Sequence, residues 1–493
     1  MNKFKQYLIL LLQSQLNCKK VNYASNSYFK TLNYKDCEAD FLLTLDDISK
    51  LLVCEIYPKF LLKERDSICF HLTLGKVIDF EFKNDKEKIK NLLSLNENFK
   101  LWGAVAFEDN LSESINERRF FLPFIEIKLE KIYGKELSFK PQEIIINSYE
   151  MPDDKTSQEV LEIKVKRDIK DFLIFLNDIT TKEIHFDKNE DSWSNFKSKE
   201  TIPSKEKWKQ EIEDFKTLNE RDHDFKKIVL AKRICFENTS NNFYYHQQII
   251  YEILKDHFSH NSLEKSYIIF WNLNKDLSFV SISPERLFLL KNKTIYTEAI
   301  AGTITSERVL ASAKTAFIGN IKFSRKDIEE HNLVILRLEE VLDKILGKNR
   351  WKRVKYLENL CLNNLQHLYT TFAGNLSEEQ SENSLIIINE LLYEMHPTPA
   401  VCGYPKDKAL EFILKKTLFQ RDLYASAIGY LSSSSAEFVV GIRSALLEKD
   451  QIYMYAGAGI VKDSNVDSEW DELDLKISSI KQFVFRRVLI DHS

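Results

Sequence analysis

The residues with the clearest chemical meaning in this sequence are two acidic pairs, each with a three-residue spacing. Glu469 and Glu472 form one pair, and Asp327 and Glu330 form the other. Residues three apart lie on one face of a helix, so each pair could place two carboxylates around one divalent cation. A site built from carboxylate oxygens alone favours Mg²⁺ over Zn²⁺. The alternative for either pair is an acidic first turn that stabilises the helix dipole.

Three further side chains could transfer protons or bind a ligand. Lys227 lies in an apolar segment, where burial would lower its pKa and allow it to act as a base. The alternative is a lysine whose aliphatic chain packs at a strand end. Glu285 follows Pro284, which should end a strand and leave the glutamate at a turn. His396 stands in a turn with two prolines, where either a structural or a ligand-binding role is possible.

Other residues could bind the acid groups of an anionic ligand. The segments Gly302-Thr303 and Gly457-Ala-Gly459 offer backbone N–H groups that can bind a carboxylate. Arg443 could donate two parallel hydrogen bonds to a carboxylate, although an ordinary surface ion pair would also explain it. Lys476 lies one helical turn after Glu472 and would suit an anion near a bound cation. The candidates together predict a site for an anionic substrate.

Composition narrows the class of protein. The 493 residues are 44% hydrophobic and 29% charged, with a formal net charge of −4, so no basic surface indicates nucleic-acid binding. The seven cysteines show no Cys-x-x-Cys spacing, which indicates reduced thiols. The short apolar run 7–12 favours an amphipathic first helix over a signal peptide, and no run could span a bilayer. We therefore expect a cytoplasmic protein, or a stromal one if it is organelle-encoded. Serine-hydrolase, Walker and dinucleotide-binding fingerprints are absent.

The elements that must position these residues alternate between strands and separate helices, which predicts an α+β fold. We expect residues 1–190 and 205–487 to be two parts of one unit, joined by a polar surface linker over 186–208. The predicted strands are 68–73, 120–129, 226–236, 267–272, 278–282, 286–290, 293–299, 437–447 and 451–457. The predicted helices are 206–220, 325–346, 383–394 and 406–416. A bend is predicted at 457–459.

An ordered series of motifs resembles one known family. The motifs are Lys227-Ile-Val-Leu-Ala231, Ser283-Pro-Glu-Arg286, Ala301-Gly-Thr303, Lys326-Asp-Ile-Glu-Glu-His331, His396-Pro-Thr-Pro-Ala-Val401, Ile442-Arg-Ser-Ala445, Tyr455-Ala-Gly-Ala-Gly459 and Glu469-Trp-Asp-Glu472. In order and spacing they resemble the chorismate-utilising enzymes, which include isochorismate, salicylate, anthranilate and aminodeoxychorismate synthases. The resemblance covers about 205–485 and is loose before that. It is strongest to the menaquinone-type isochorismate synthases.

The resemblance implies a fold and a set of partners. The fold would be that of anthranilate synthase component I, with two facing, mostly antiparallel sheets, helices outside and the site between the sheets. The substrate would be chorismate, and Mg²⁺ would be the cofactor. No ammonia-supplying glutaminase, nucleic acid or membrane partner is implied, and the family tendency is a monomer. The product would supply menaquinone, phylloquinone or related metabolites.

The resemblance also assigns roles to single residues. Lys227 matches the lysine that activates water, and Glu285 matches the acid that protonates the departing C4 hydroxyl. Alanine at 301 replaces the lysine by which aminodeoxychorismate synthases attack the ring. The metal ligands would be Glu330, Glu469 and Glu472, with Asp327 as a nearby partner. The substrate-binding residues would be Gly302, Thr303, His396, Tyr424, Arg443, Gly457, Gly459 and Lys476.

Two departures and two alternatives accompany this hypothesis. Ser426 replaces a glycine usual in the family, and 433–436 replace a usual Gly-Asp-Gly turn. Salicylate synthase, which also eliminates pyruvate, is one alternative function. A non-catalytic chorismate-binding paralogue is the other. Retention of Lys227 and Glu285 favours an enzyme.

Overall fold

The structure is a computed structural model of the chain. It describes residues 28–35, 42–53, 56–81, 85–96, 99–107, 119–132, 137–150, 167, 196–238, 245–260, 263–305, 315–318, 321–362 and 365–485. The expected amphipathic helix after residue 7 lies outside these ranges. Helices and strands are both abundant, as an α+β protein requires.

The strands occupy both parts of the chain. They are β1 (Tyr28–Lys35), β2 (Leu43–Thr44), β3 (Lys59–Lys63), β4 (Cys69–Glu81), β5 (Leu101–Val105), β6 (Arg119–Ile132), β7 (Ser138–Glu150), β8 (Phe196–Ile202), β9 (Lys227–Asn238), β10 (Tyr267–Asn274), β11 (Leu277–Ser283), β12 (Arg286–Lys291), β13 (Thr294–Thr305), β14 (Thr315–Ile318), β15 (Ile321–Ser324), β16 (Trp351–Leu362), β17 (Leu365–Asn375), β18 (Gly403–Tyr404), β19 (Ala427–Leu431), β20 (Ala436–Val440), β21 (Ser444–Glu448) and β22 (Gln451–Ile460).

The helices lie between these strands in the chain. They are α1 (Leu45–Val53), α2 (Lys86–Leu95), α3 (Lys205–Arg221), α4 (Tyr245–His260), α5 (Arg325–Leu346), α6 (Glu378–Glu382), α7 (Ser384–Met395), α8 (Lys406–Lys416) and α9 (Val466–Val484).

Antiparallel hydrogen bonding joins the strands into two branches that meet at β6. One branch runs β1–β7–β6–β4–β3–β10–β11–β21–β22–β9 and ends in β8 and β18, while β2 pairs with β7. The other runs β6–β5–β19–β20–β12–β13–β17–β16. The β14–β15 hairpin pairs separately. The β11–β12 and β20–β21 loops cross from one branch to the other, and they carry Glu285 and Arg443.

Two helices that position candidate residues begin at clear caps. The Ser324 hydroxyl accepts from the Asp327 amide, and the Asp327 carboxylate accepts from the Ser324 amide, so α5 begins with a capping box. The Asn465 side chain accepts from the Asp467 and Ser468 amides and begins α9. Gly347 follows α5 with φ +87°. The apolar stripe of α5 packs against β13, which orients its polar face.

Most predicted elements are confirmed, with three corrections. The predicted strand 437–447 is two strands, β20 and β21, because the chain turns through Arg443 at φ 48°. The polar segment predicted as linker contains β8, an exposed edge strand whose backbone pairs with β9. An exposed strand does not need alternating apolar residues, so the sequence pattern did not indicate β8. The bend predicted at 457–459 is instead a regular part of β22, paired with β9.

Several further strands were not predicted, among them β16 and β17. β16 and β17 form a long antiparallel pair at the end of the second branch. Residues from both parts of the chain bury one continuous hydrophobic core, which includes Phe60, Trp102, Phe270, Val439 and Ile477. Among the described residues, no helix combines the length and the apolar character needed to span a bilayer.

Candidate active site

Three glutamates predicted as metal ligands each contact a lysine in this structure. The pairs are Lys227–Glu330, Lys326–Glu469 and Lys476–Glu472. The first and third have N···O distances of 2.8 and 2.7 Å. The carboxylates come from α5 and α9, two helices far apart in the chain. Alternating positive and negative groups are the arrangement expected of a charged site before an anionic ligand and a cation bind.

Lys227 is the first residue of β9, and its side chain is fully buried. Its Nζ lies 2.8 Å from Glu330 Oε1. The neighbouring strand leaves room for this pair through Gly459, since a Cβ there would lie 2.1 Å from Glu330 Oε1 and 2.9 Å from Lys227 Cε. Gly403 has φ +141°, and a Cβ there would lie 2.2 Å from the Lys227 carbonyl oxygen. Both glycines are therefore required by close approach to the lysine.

Glu469 retains a carboxylate oxygen that could accept a ligand. The residue is 2% exposed, and its Oε2 is buried without a hydrogen-bond partner. Burial raises its pKa to about 7, with Lys326 acting in the opposite direction and Glu472 adding to the increase. An unsatisfied buried carboxylate oxygen is costly and fits a cation site.

The residues fit a divalent cation only in part. Within the described ranges, no three His, Cys, Asp or Glu side chains are close enough to hold one metal ion. The lysines hold the glutamates individually, so the predicted set of Glu330, Glu469 and Glu472 stays a prediction. Asp327 is different, because its carboxylate accepts from both the amide and the hydroxyl of Ser324. Its helix-capping role accounts for the Asp327–Glu330 spacing without a metal.

Glu285 lies in the loop between β11 and β12, as predicted from Pro284. It is 4% exposed, and the Thr398 hydroxyl lies 3.5 Å from its Oε1. Burial is the main cause that raises its pKa to about 8; the charge of Glu298 adds to this, and Lys227 and Lys476 oppose it. A carboxyl group with this pKa still carries its proton at neutral pH, as a general acid must.

Arg443 is a cation with no carboxylate partner among the described residues. Its Nη2 lies 2.8 Å from His367 Nε2, and burial lowers its pKa to about 10. His367 Nδ1 lies 3.2 Å from the Gly302 carbonyl oxygen. Burial followed by the charge of Arg443 lowers the pKa of His367, so the ring is neutral, donates to Gly302 and accepts from Arg443. The guanidinium is thus oriented while the rest of its donors stay available for an anion.

Gly302 and the segment at 457–459 have structural roles that the sequence did not indicate. Gly302 has φ +72° and lies at a bulge in β13, with Asp327 Cβ 3.0 Å from where its own Cβ would be. The side chain of Thr303 is outside the described part of the structure. A Cβ at Gly457 would lie 2.5 Å from the Tyr424 hydroxyl, and Lys476 donates to the Gly457 carbonyl at 2.8 Å. These contacts place Tyr424 and Lys476 beside β22.

Tyr424 and His396 are held by their neighbours. The Tyr424 ring stacks on Tyr455 with a centroid distance of 5.2 Å. His396 Nε2 lies 2.9 Å from the Ala425 carbonyl oxygen, so this histidine fixes the residue after Tyr424. The Ser426 hydroxyl donates to the Leu423 carbonyl at 2.6 Å, which satisfies it within its own turn.

The second sequence departure falls on the β19–β20 hairpin. Ser432 and Ser435 hydrogen-bond to each other across this turn. Ser426 and the hairpin are thus accommodated by local hydrogen bonds.

The structure therefore brings most of the predicted residues into one charged cluster. Lys227 and Lys476 are both close enough to Glu285 to affect its pKa. The charges of Lys476 and Glu285 likewise act on the pKa of Tyr424. Sequence reasoning did not identify Lys326, His367 or Thr398 as site residues. Lys326 and Thr398 lie inside motifs that were recognised. His367 carried no signal, because its strand was not predicted.

A separate surface groove of about 1150 Å³ lies beside α7 and α8. It is lined by Tyr393, Pro405, Leu414 and Leu418 among others, and it includes His396 but not Lys227 or Glu285. The groove and the charged cluster are therefore different features that share one histidine.

Comparison with known proteins was made against families, curated sequences and solved structures. Residues 39–484 match the model of the family described as "Chorismate binding enzyme". The chloroplastic isochorismate synthase of Catharanthus roseus is 35% identical over 208 residues, which are 42% of this chain and 34% of that protein. Isochorismate synthase MenF of Escherichia coli is 30% identical over 215 residues, which are 44% of this chain and 47% of that protein. The matched part thus spans a third to a half of these curated relatives.

The solved structure of MenF, the menaquinone-specific isochorismate synthase from Escherichia coli, has the same fold. The TM-score is 0.71 with 21% sequence identity, and the match covers 97% of this chain and 99% of that one. The predicted α+β fold with mostly antiparallel sheets is thereby confirmed. Because the family model spans most of the sequence, this chain belongs to the chorismate-binding enzyme family.

Proposed function

We propose that this protein is a magnesium-dependent isochorismate synthase. The observation that carries the proposal is Glu285, a buried carboxyl group whose pKa is raised to about 8 although Lys227 and Lys476 oppose the increase. Replacing the C4 hydroxyl of chorismate requires an acid that is still protonated at neutral pH. The isochorismate synthases among the similar sequences support the same activity.

The chemistry needs proton transfer at two positions of the ring. The oxygen of water bonds to C2, both ring double bonds shift by one position, and the C4–O bond breaks. Lys227 accepts a proton from the attacking water, and Glu285 donates its proton to the departing hydroxyl, which leaves as water. One water enters and one leaves, so the reaction is an isomerisation. Acid and base must have different proton affinities.

Lys227 needs a free lone pair on Nζ to act as the base. In this structure Glu330 Oε1 lies 2.8 Å from that nitrogen. The proposal therefore requires the amine to be unprotonated when water attacks, and a neutral amine can still donate an N–H to Glu330. Glu330, Glu469 and Glu472 would hold Mg²⁺, which when bound would offset the charge of the ring carboxylate. Glu469 Oε2 supports this assignment because it is buried without a partner.

The second carboxylate of chorismate would be bound by Arg443 and its neighbours. Arg443 has no carboxylate partner among the described residues, and its pKa is lowered to about 10 by burial. A partly desolvated guanidinium of this kind gains most from binding a carboxylate. His367 and Gly302 orient it, while Tyr424 and Lys476 lie beside β22.

The proposal also covers the partner, the assembly state and the compartment of the protein. Water as the nucleophile removes any need for an ammonia-supplying partner. A monomer acting in the cytoplasm, or in an organelle stroma, remains our expectation, and gel filtration and cell fractionation would test it. The product would enter menaquinone, phylloquinone or related synthesis.

Incubation of the purified protein with chorismate, with and without Mg²⁺, tests the activity. The proposal predicts a magnesium-dependent, reversible mixture of chorismate and isochorismate, resolved by chromatography. Salicylate with pyruvate would instead indicate a salicylate synthase. Binding of chorismate without any product would indicate a non-catalytic paralogue.

A further inference from the structure

Four backbone polar groups of the loop around Glu285 have hydrogen-bond partners. The Pro284 carbonyl accepts from Arg65 Nη1 at 2.7 Å, and the Arg286 amide donates to Glu298 Oε1 at 2.8 Å. The Glu285 amide donates to the Ser283 hydroxyl at 3.2 Å, and its carbonyl accepts from the Val440 amide at 3.0 Å. Hydrogen bonds to Glu285 and to both flanking residues therefore fix the backbone that carries the Glu285 side chain.

Arg65 and Glu298 also contact each other directly. Arg65 Nη1 and Nη2 donate to the two oxygens of Glu298 at 2.7 and 2.6 Å. Their side chains are 5% and 2% exposed, and the Tyr369 hydroxyl donates to Glu298 Oε2 at 2.9 Å. A buried, two-point arginine–glutamate pair has a defined geometry that lysine cannot reproduce.

The two members of the pair come from different parts of the chain. Arg65 follows β3 in the N-terminal part, whereas Glu298 lies on β13. The family resemblance was loose over the N-terminal part, and no site residue was predicted there. Arg65 gives that part of the chain a direct contact with the loop that carries the proposed acid.

We propose that Arg65 and Glu298 are positioning residues that hold the Glu285 loop in place and keep the Glu285 carboxyl protonated. This inference rests on the proposed role of Glu285 as the acid. Arg65 and the Glu298 carboxylate fix the flanking backbone, and the negative charge of Glu298 disfavours a second charge on Glu285.

The groups that face Glu285 come from several elements. Glu298 lies on β13, Lys227 on β9, Lys476 on α9, and Tyr424 and Thr398 lie in loops. The two lysines favour the ionised form of Glu285, whereas burial and Glu298 favour the neutral form. Removing the charge of Glu298 should therefore shift the titration of Glu285 to lower pH.

Infrared spectroscopy of the ligand-free protein tests this without requiring turnover. The carboxyl band that titrates in wild type and is missing in Glu285→Gln reports on Glu285. The inference predicts a wild-type midpoint near pH 8. It also predicts a decrease of about one pH unit in Glu298→Gln. The matched control is Glu394→Gln, which neutralises a partner of Arg337 at 2.8 Å on the outer helices and should leave the midpoint unchanged.

A second variant tests the positioning role and covers a failure of Glu298→Gln to fold. Arg65→Lys keeps the positive charge but loses the two-point contact. The inference predicts faster amide hydrogen exchange over 283–287, and about a tenfold to hundredfold lower kcat with KM little changed.

The outcomes separate this inference from the proposed function. A Glu285 midpoint within a few tenths of a pH unit of wild type in Glu298→Gln would overturn the electrostatic role. Unchanged exchange in Arg65→Lys would overturn the positioning role. If both effects appear but chorismate is not converted, the Arg65–Glu298 network stands and the proposed activity fails.

Discussion

Two glutamates, Glu285 buried and Glu330 partly buried, lie near the same lysine yet have opposite pKa shifts. Glu330 is within 2.8 Å of Lys227 Nζ, and Lys227 and Lys326 hold its pKa below the ordinary value although burial acts against them. Glu285 faces Lys227 at longer range and also faces Glu298, and its pKa is raised to about 8. Burial therefore does not decide the protonation state alone. Direct contact with a cation keeps Glu330 charged, whereas a neighbouring carboxylate and desolvation keep Glu285 neutral.

The two carboxyl groups are therefore suited to different functions. A charged glutamate can hold a cation, and a neutral one can donate a proton. Under the proposed function, one site would contain both kinds of carboxyl group. Replacing or titrating these two carboxyl groups tests that difference.

Glu285→Gln should have the largest effect on turnover. Glutamine keeps the size of the side chain but has no acidic proton, so kcat for chorismate should fall about a thousandfold. Chorismate binding, followed by intrinsic fluorescence, should persist because Arg443 is untouched. Near-normal kcat in this variant would show that Glu285 is not the acid.

Glu330→Gln should reduce kcat/KM about a hundredfold, since the variant loses a charged group that is proposed to bind the cation and that neighbours the proposed base. The measurement is kcat/KM over a range of Mg²⁺ concentrations. Glu329→Gln is the matched control, because this neighbouring glutamate of α5 is exposed. An unchanged magnesium dependence in Glu330→Gln would exclude Glu330 as a ligand.

The stability of Glu285→Gln should depend on pH differently from wild type. The Glu285 pKa is about 8 in the folded protein and ordinarily 4.5, so the folded state binds more protons between these values. Wild type therefore loses stability as pH rises through about 8, while the glutamine variant has no such loss. Between pH 6 and 9 the variant should gain on the order of 2 kcal/mol relative to wild type. Urea unfolding at both pH values measures this, and a constant difference would contradict the raised pKa.

The pH profile of wild-type turnover gives the smallest change. If Glu285 donates the proton as proposed, activity should decline as pH rises through about 8. By pH 9 the rate should have fallen about tenfold. Rates of isochorismate formation between pH 6 and 10 test this. A profile flat to pH 10 would mean that no group titrating near 8 has to be protonated.

Local patterns were sufficient to predict much of the fold and the motif residues. The helix at Arg325–Leu346 could be bounded from its apolar stripe and from Gly347, and Pro284 correctly predicted the turn at Glu285. The break at Arg443 could not be predicted, because the residues around it alternate like one strand. Its positive φ depends on the crossing between branches.

Local sequence patterns could not predict the contacts between distant segments. Lys326 reaches Glu469 across more than a hundred residues, and Arg65 reaches Glu298 across more than two hundred. No spacing rule links such pairs. The Asp327–Glu330 spacing suggested a shared cation, yet the cap at Ser324 uses Asp327. A three-residue spacing fixes a helix face but does not indicate which partners that face meets.

The most direct test of the proposed mechanism is to run the reaction in water enriched in ¹⁸O and locate the label by mass spectrometry. The account predicts that newly formed isochorismate carries one solvent oxygen at the C2 hydroxyl, because water is the nucleophile and the C4 hydroxyl leaves. Isochorismate that retains only its original oxygen would show transfer of the substrate's own hydroxyl, and it would contradict the division of roles between Lys227 and Glu285.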